Sequence, residues 1–296
     1  MSVTRKHAIL YLKLVLTAVF WGGTFIAGRI VAREVPPFSA AFLRFAVASI
    51  VLLVIVLRTH GTIPMLERTQ ILPVAMLGLT GVFAYNVFFF SGLKTVTASR
   101  ASLIITSNPA FIALFAALFF GDRLTLLRTL GIVLSIAGAM IVISRGHPMQ
   151  VFDGSLGLGE LFLFGCVLSW VLYSLIGKVA LTRLSPLVSV TYSCVIGALF
   201  LSLPAYFEGL GFNVASYSYA AWISIIYLGL FGTVLGFIWY YEGIKAIGPS
   251  RAGVFINIVP ICAVILAFLI LNEAIDASIT LGAILVFSGV YLTNKP

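Results

Sequence analysis

Charge is scarce in this chain. Only 9% of the 296 residues are Asp, Glu, Lys or Arg, while 61% are hydrophobic; soluble globular domains carry about 25% charged residues. With a mean hydropathy of +1.15, the sequence holds more apolar surface than a water-soluble domain of this size can hide. The same apolar excess excludes a disordered chain. Cysteine is rare too. Cys166, Cys194 and Cys262 all fall inside apolar runs without CxxC or metal-ligand spacing, so they read as small hydrophobes and no metal is expected. Acid and imidazole are missing from the runs. The nine carboxylates (Glu34, Glu67, Asp122, Asp153, Glu160, Glu208, Glu242, Glu273 and Asp276) and the three histidines (His7, His60 and His147) sit in connections or near run ends.

These absences remove whole classes of chemistry. An intramembrane serine protease needs a buried Ser and His, an aspartyl type needs two midspan Asp, and metal-dependent hydrolysis needs ligands. No GxxxxGK[ST] loop occurs, so an ATP-driven motor of that type is excluded. The sequence therefore predicts neither an enzyme nor a cofactor. Proton relays in pumps use buried Asp, Glu or His. Their lack predicts uniport, or weak coupling through a peripheral group such as Glu160 or Glu242.

What is present is a series of long apolar runs. Crossing about 30 Å of hydrocarbon at about 1.5 Å per residue takes about 17–25 residues. Ten runs of about that length appear, at roughly 8–28, 37–57, 71–91, 101–120, 126–144, 157–177, 187–207, 218–241, 252–271 and 277–293. Unbroken runs argue against a β-barrel, whose strands alternate polar and apolar. Connections are short, with about 12 residues from Arg145 to Leu156 among the longest. Arg5 and Lys6 precede the first run as in a signal peptide, but the run has span length and is read as retained. With both termini in the cytoplasm, inside segments hold 12 Lys and Arg and outside segments hold 5, which satisfies the positive-inside rule. The net charge of +9 thus reads as orientation in an anionic bilayer, and not as nucleic-acid binding, since no basic patch forms.

An internal repeat organises the runs. A shift of 151 lays residues 77–140 on 228–291 with 18 identities in 64 positions and no gap. Lys94/Lys245, Arg100/Arg251, Pro109/Pro260 and the glycine pairs Gly78/Gly229, Gly92/Gly243, Gly131/Gly282 and Gly138/Gly289 carry the match. A shift of 149 pairs Trp21/Trp170, Gly28/Gly177 and Pro37/Pro186. The chain divides into units 1–148 and 149–296 of five spans each. An odd number of spans inverts the second unit. Inverted repeats are the build of secondary transporters, which bind solute near the midplane between the halves.

Trp21-Gly22 in the first span, Leu43-Arg44 in the second, and the series Gly92, Pro109, Gly121-Asp122-Arg123, Gly131, Gly138, with its copy Gly243, Pro260, Asn272-Glu273, Gly282, Gly289, resemble the ten-helix EamA type of the drug/metabolite transporter superfamily. Within it the chain is most similar to YddG-type aromatic amino-acid exporters. The resemblance implies small-metabolite export, with spans 1–4 and 6–9 around a central cavity and spans 5 and 10 outside. It also implies an acidic residue ending spans 4 and 9, where Asp122 replaces the usual Glu in the first copy.

Several residues are candidates for the cavity. Trp21 and Trp170, matched across the halves, offer flat walls with an N–H donor, and Tyr85, Phe89, Tyr173, Trp239 and Tyr240 are candidates to extend them. Asn86, Asn108 and Asn257 are midspan amides that can serve a zwitterion, or else bond neighbouring helices. Arg44 reads foremost as structural, pairing with a helix C-terminus or carboxylate, with a substrate carboxylate as the alternative. Pro109 and Pro260 each free the carbonyl four residues back, at Ile105 and Ile256; they are hinge candidates, against a static kink that improves packing. The expected partners are a small-molecule substrate, foremost amino acids, and the lipid bilayer of a bacterial-type inner membrane. Small residues along spans 5 and 10 favour packing inside a monomer, with a dimer as the alternative. Export of other drugs or metabolites, or channel-like facilitation, are the competing functions.

Overall fold

The computed structural model describes residues 3–120, 125–144, 146 and 157–293. Among these, every regular element is helical. In lipid no water satisfies the backbone, so a spanning segment closes its own hydrogen bonds as a helix. Among the described residues, nine helices are long and apolar enough to cross a membrane: α1 (Ala8–Ala32, continuing a helix from Val3), α2 (Pro37–His60), α3 (Arg68–Thr95), α4 (Ala98–Phe119), α5 (Leu126–Ile143), α6 (Leu158–Ala180), α7 (Pro186–Phe207), α8 (Tyr219–Ile247) and α9 (Arg251–Leu271). A tenth, α10 (Ala277–Thr293), is apolar but has only 17 residues. The chain is an all-α polytopic membrane protein of two inverted repeats.

Helices α3 and α8 outrun the apolar stretches predicted for them. They continue through Lys94 to Thr95 and through Lys245 to Ile247. A hydropathy reading stops at a lysine, whereas the helix does not, because a long aliphatic stem lets the ammonium reach the polar boundary. Asp122, Asp153 and Arg145 lie outside the described residues.

The inversion is written in reciprocal contacts. A Cβ at Gly78 in α3 would lie 3.0 Å from the Ser193 carbonyl oxygen in α7; a Cβ at its repeat mate Gly229 in α8 would lie 3.1 Å from the Arg44 carbonyl oxygen in α2. Ser193 and Arg44 are themselves 149 positions apart. Likewise Gly92 meets Leu163 while Gly243 meets Leu14. Helices α5 and α10 run antiparallel, with Gly138 over the Gly282 carbonyl and Gly289 over the Gly131 carbonyl. The small-residue faces of these two helices are therefore spent on each other within one chain.

Both repeats carry the same two irregularities. Helix α3 widens into a π-helical stretch at Gly78–Ala84, and α8 does so at Leu228–Leu235. Helices α4 and α9 break just ahead of Pro109 and Pro260. The first α4 segment ends at Ile105 and the next begins at Asn108, while α9 passes through a 3₁₀ turn at Phe255–Asn257. These are the places where π-bulges and prolines interrupt an i→i−4 ladder.

Polar clasps hold the end of the bundle where α1 finishes. Glu273, after α9, accepts from the Ala98 and Ser99 backbone N–H groups and from the Ser99 hydroxyl at the start of α4, at 2.9, 3.0 and 2.8 Å. Glu208, after α7, does the same for Phe38 and Ser39 at the start of α2. Carboxylates at helix N-termini answer both the free N–H groups and the dipole. Arg100 pairs with Asp276 at the same end. At the other end Lys13 pairs with Glu242 at 2.7 Å.

Candidate functional site

A cavity lies at the seam of the two halves. Trp21, Thr24 and Phe25 reach it from α1, Arg44 from α2, Tyr85 and Phe89 from α3, and Ile105 and Asn108 from α4. The second half contributes Trp170 from α6, Phe237 from α8, and Ile256 and Val259 from α9. Helices α5, α7 and α10 give no lining residue. The space open to the centres of water-sized molecules is about 30 Å³, room for about two waters. In this conformation the cavity is constricted.

The aromatic wall is continuous but differs from the expected pair of opposed indoles. Trp21 and Trp170 touch edge to face, with centroids 5.2 Å apart and planes at 88°. They form one corner and do not flank the space from two sides. Tyr85 packs on Trp170 at 5.2 Å, and Phe237 on Trp170 at 5.5 Å. Tyr173 and Tyr240 stand behind this layer, at 5.2 and 5.6 Å from Trp170; Tyr240 also borders a closed cleft beside Trp21. Trp239 does not reach the cavity. It is half-buried and stacks on Phe20 at 6.0 Å. Helix α8 carries no charged side chain between Val234 and Tyr241, so hydropathy alone does not tell the cavity side of that stretch from its outer side. Asn257 lies in the 3₁₀ break, away from the lining, with its Oδ1 buried and without a partner among the described residues.

Arg44 organises the polar part of the cavity. The side chain is 3% exposed. Its Nε donates to Thr233 Oγ1 at 2.9 Å and its Nη1 to Asn86 Oδ1 at 2.9 Å. These two acceptors also repair the π-helical stretches. Asn86 Nδ2 donates to the Gly81 and Val82 carbonyls at 3.1 and 2.9 Å, and Thr233 Oγ1 donates to the Leu228 carbonyl at 3.0 Å. Arg44 thus ties the π turn of one half to that of the other. Asn86, a candidate either to serve a solute or to bond neighbouring helices, does the latter: its Oδ1 accepts from Arg44 and its Nδ2 donates to the Gly81 and Val82 carbonyls. Among the described residues Arg44 bonds neither a carboxylate nor a helix C-terminus, the partners expected for it; both acceptors are neutral side chains. Its guanidinium also lies 5.2 Å from the Phe45 ring centroid.

Asn108 is 2% exposed and lines the cavity with an Oδ1 that has no partner among the described residues. Trp21 Nε1 is already donated to the Gly232 carbonyl at 2.9 Å. Pro109 and Pro260 are buried just beyond the breaks. Ile105 and Ile256, four residues ahead of those prolines, both line the cavity; the Ile256 carbonyl accepts a backbone N–H at the end of the 3₁₀ turn in place of the one Pro260 lacks.

Thr24, Phe25, Phe237 and Val259 line the cavity without having been singled out from the sequence. For Phe237 a signal exists. It is the repeat mate of Asn86, so a position already suspected in one half points to it in the other.

Residues 8–144 and 157–295 each match the EamA-like transporter family. The chain is 31% identical over 285 residues to the uncharacterized transporter YyaM of Bacillus subtilis, covering 96% of this chain and 93% of that one. It is 30% identical over 287 residues to a probable terminal-alkyne amino-acid exporter of Streptantibioticus cattleyicolor, covering 95% and 92%. A solved crystal structure superposes with a TM-score of 0.69 at 20% identity, over 97% of both chains. With its duplicated sequence, inverted halves and seam cavity, the chain belongs to the EamA-like transporter family and is a membrane transporter, not an enzyme.

Proposed function

We propose that this protein is a secondary transporter that exports small metabolites, foremost amino acids with aromatic or large apolar side chains, by alternating access and without ATP. The observation that carries the reading is the seam cavity itself, walled by Trp21, Tyr85, Phe89, Trp170 and Phe237 and lined from both inverted halves. Aromatic faces suit a flat apolar side chain, and one relative bears the name of an amino-acid exporter. At about 30 Å³ the cavity admits no amino acid as it stands, so loading requires the halves to part. The breaks ahead of Pro109 and Pro260 give α4 and α9 points at which to bend. Both termini face the cytoplasm of a bacterial-type inner membrane in this reading, as the distribution of Lys and Arg favours.

Reconstitution into proteoliposomes with labelled Phe, Thr, Met and Lys tests the proposal. Saturable uptake of at least one, stimulated by unlabelled amino acid on the opposite side, is the expected result. Flux that rises linearly with concentration and ignores counter-substrate would place the protein among channels.

A further inference from the structure

Arg44 presents an imbalance. A charge buried within a membrane span is costly, and such residues pair with an opposite charge or face a water-filled path. Arg44 is 3% exposed, and its bonds go to Thr233 and Asn86, which are neutral. Among the described residues no Asp or Glu lines the cavity with it. Two of the five guanidinium N–H donors are used in these bonds, which hold the group to the cavity wall from both halves. A neutral donor such as Gln would serve to bridge Asn86 and Thr233, so tethering alone gives no reason for a full positive charge.

The repeat sharpens the point. The equivalents of Arg44, Asn86 and Thr233 in the opposite half are Ser193, Phe237 and Val82. The glycine and proline framework is duplicated, yet the cation and its two supports exist once. A device for gripping one end of an asymmetric solute is needed once.

We propose that Arg44 binds the carboxylate of the transported solute and that the unpartnered Asn108 Oδ1 accepts from its ammonium group. The inference rests on the reading of the seam cavity as the solute site. Arg44 supplies the anion-binding end, Asn108 an acceptor without a charge of its own, and the Trp21–Trp170 corner the apolar wall. A free α-amino acid, with both charged groups on one carbon and an apolar side chain, matches all three.

The test is competition against a labelled amino acid that reconstituted wild-type protein takes up saturably, with phenylalanine tried first. For phenylalanine the competitors are the unlabelled amino acid, its decarboxylated amine 2-phenylethylamine, and 3-phenylpropionate, which lacks the ammonium. Loss of a charge-assisted hydrogen bond predicts that the amine competes about 10- to 150-fold more weakly than the amino acid. In Arg44→Gln the amino acid and the amine should compete alike, while Arg44→Lys retains part of the preference. A purely structural Arg44 would instead lower uptake and leave the preference intact. If Arg44→Gln does not fold, the wild-type series still decides. Equal competition by amine and amino acid in the wild type overturns the inference and leaves transport standing. If no labelled amino acid is taken up, the reading of the cavity falls and the inference falls with it.

Discussion

Replacing Gly138 by Ala tests the close seam between α5 and α10. A Cβ there would lie 2.7 Å from the Val286 backbone nitrogen and 2.8 Å from the Gly282 carbonyl oxygen, whereas ordinary contact begins near 3.4 Å. Two of the three nearest obstacles are backbone, and the third, Val286 Cγ2 at 2.8 Å, belongs to a stiff β-branched side chain, so nothing flexible can yield. Helix α10 must withdraw by about 0.7 Å, taking its packing with it, at a typical overpacking cost of about 1–3 kcal/mol. The same substitution also gains about 0.5–1 kcal/mol from removing a helical glycine. Gly253→Ala isolates that gain, because the nearest atom to its Cβ is Ile112 Cδ1 at 3.9 Å. The difference between the two variants is then the packing cost alone. In detergent, Gly138→Ala should melt below Gly253→Ala by about 2–12 °C, at about 2–4 °C per kcal/mol. Equal midpoints, or a higher one for Gly138→Ala, would refute a seam closed by backbone contact.

Pro109→Ala and Pro260→Ala restore a continuous ladder through the breaks in α4 and α9. Each should slow turnover several-fold more than it weakens half-saturation, measured in proteoliposomes; an unchanged turnover rate would remove the hinge. Asp276 caps α10, its Oδ1 accepting from the Ser278 hydroxyl at 2.6 Å and from the Ile279 N–H at 2.9 Å. Partial desolvation opposes its charge, but these two donors and the Arg100 guanidinium hold the carboxyl below the usual carboxylate range. A lowered folded value means its stabilisation is complete above about pH 4 and is lost as pH falls through that folded value. Asp276→Asn should therefore melt below the parent at pH 7, and the gap should close below about pH 4; a gap unchanged at pH 3 contradicts the assignment.

The parts of this protein that hydropathy and duplication encode were legible in its sequence. Apolar runs marked the ten helices, and Lys94/Lys245, Arg100/Arg251 and Pro109/Pro260 marked the inverted copies because such residues seldom coincide by chance in apolar spans. The π-helical turns at Gly78 and Leu228 were not legible. Where a helix is apolar on every side, one extra residue per turn leaves no mark on the pattern. The same uniformity led to Trp239, which packs on Phe20, in place of Phe237, two residues earlier and on the cavity. Arg44 was visible as an anomaly, but its neutral partners lie 42 and 189 positions away, and only the fold brings them together.

Solute binding where the two halves meet is open to direct test by fluorescence. The chain has four tryptophans; Trp21 and Trp170 line that cavity, while Trp222 and Trp239 are not among its lining residues. In the double variant Trp222→Phe/Trp239→Phe, all remaining indole fluorescence comes from the seam. Adding the transported amino acid should change that emission saturably, with the same half-saturation as uptake. A variant that transports normally and shows no change in emission at saturating solute would contradict the account.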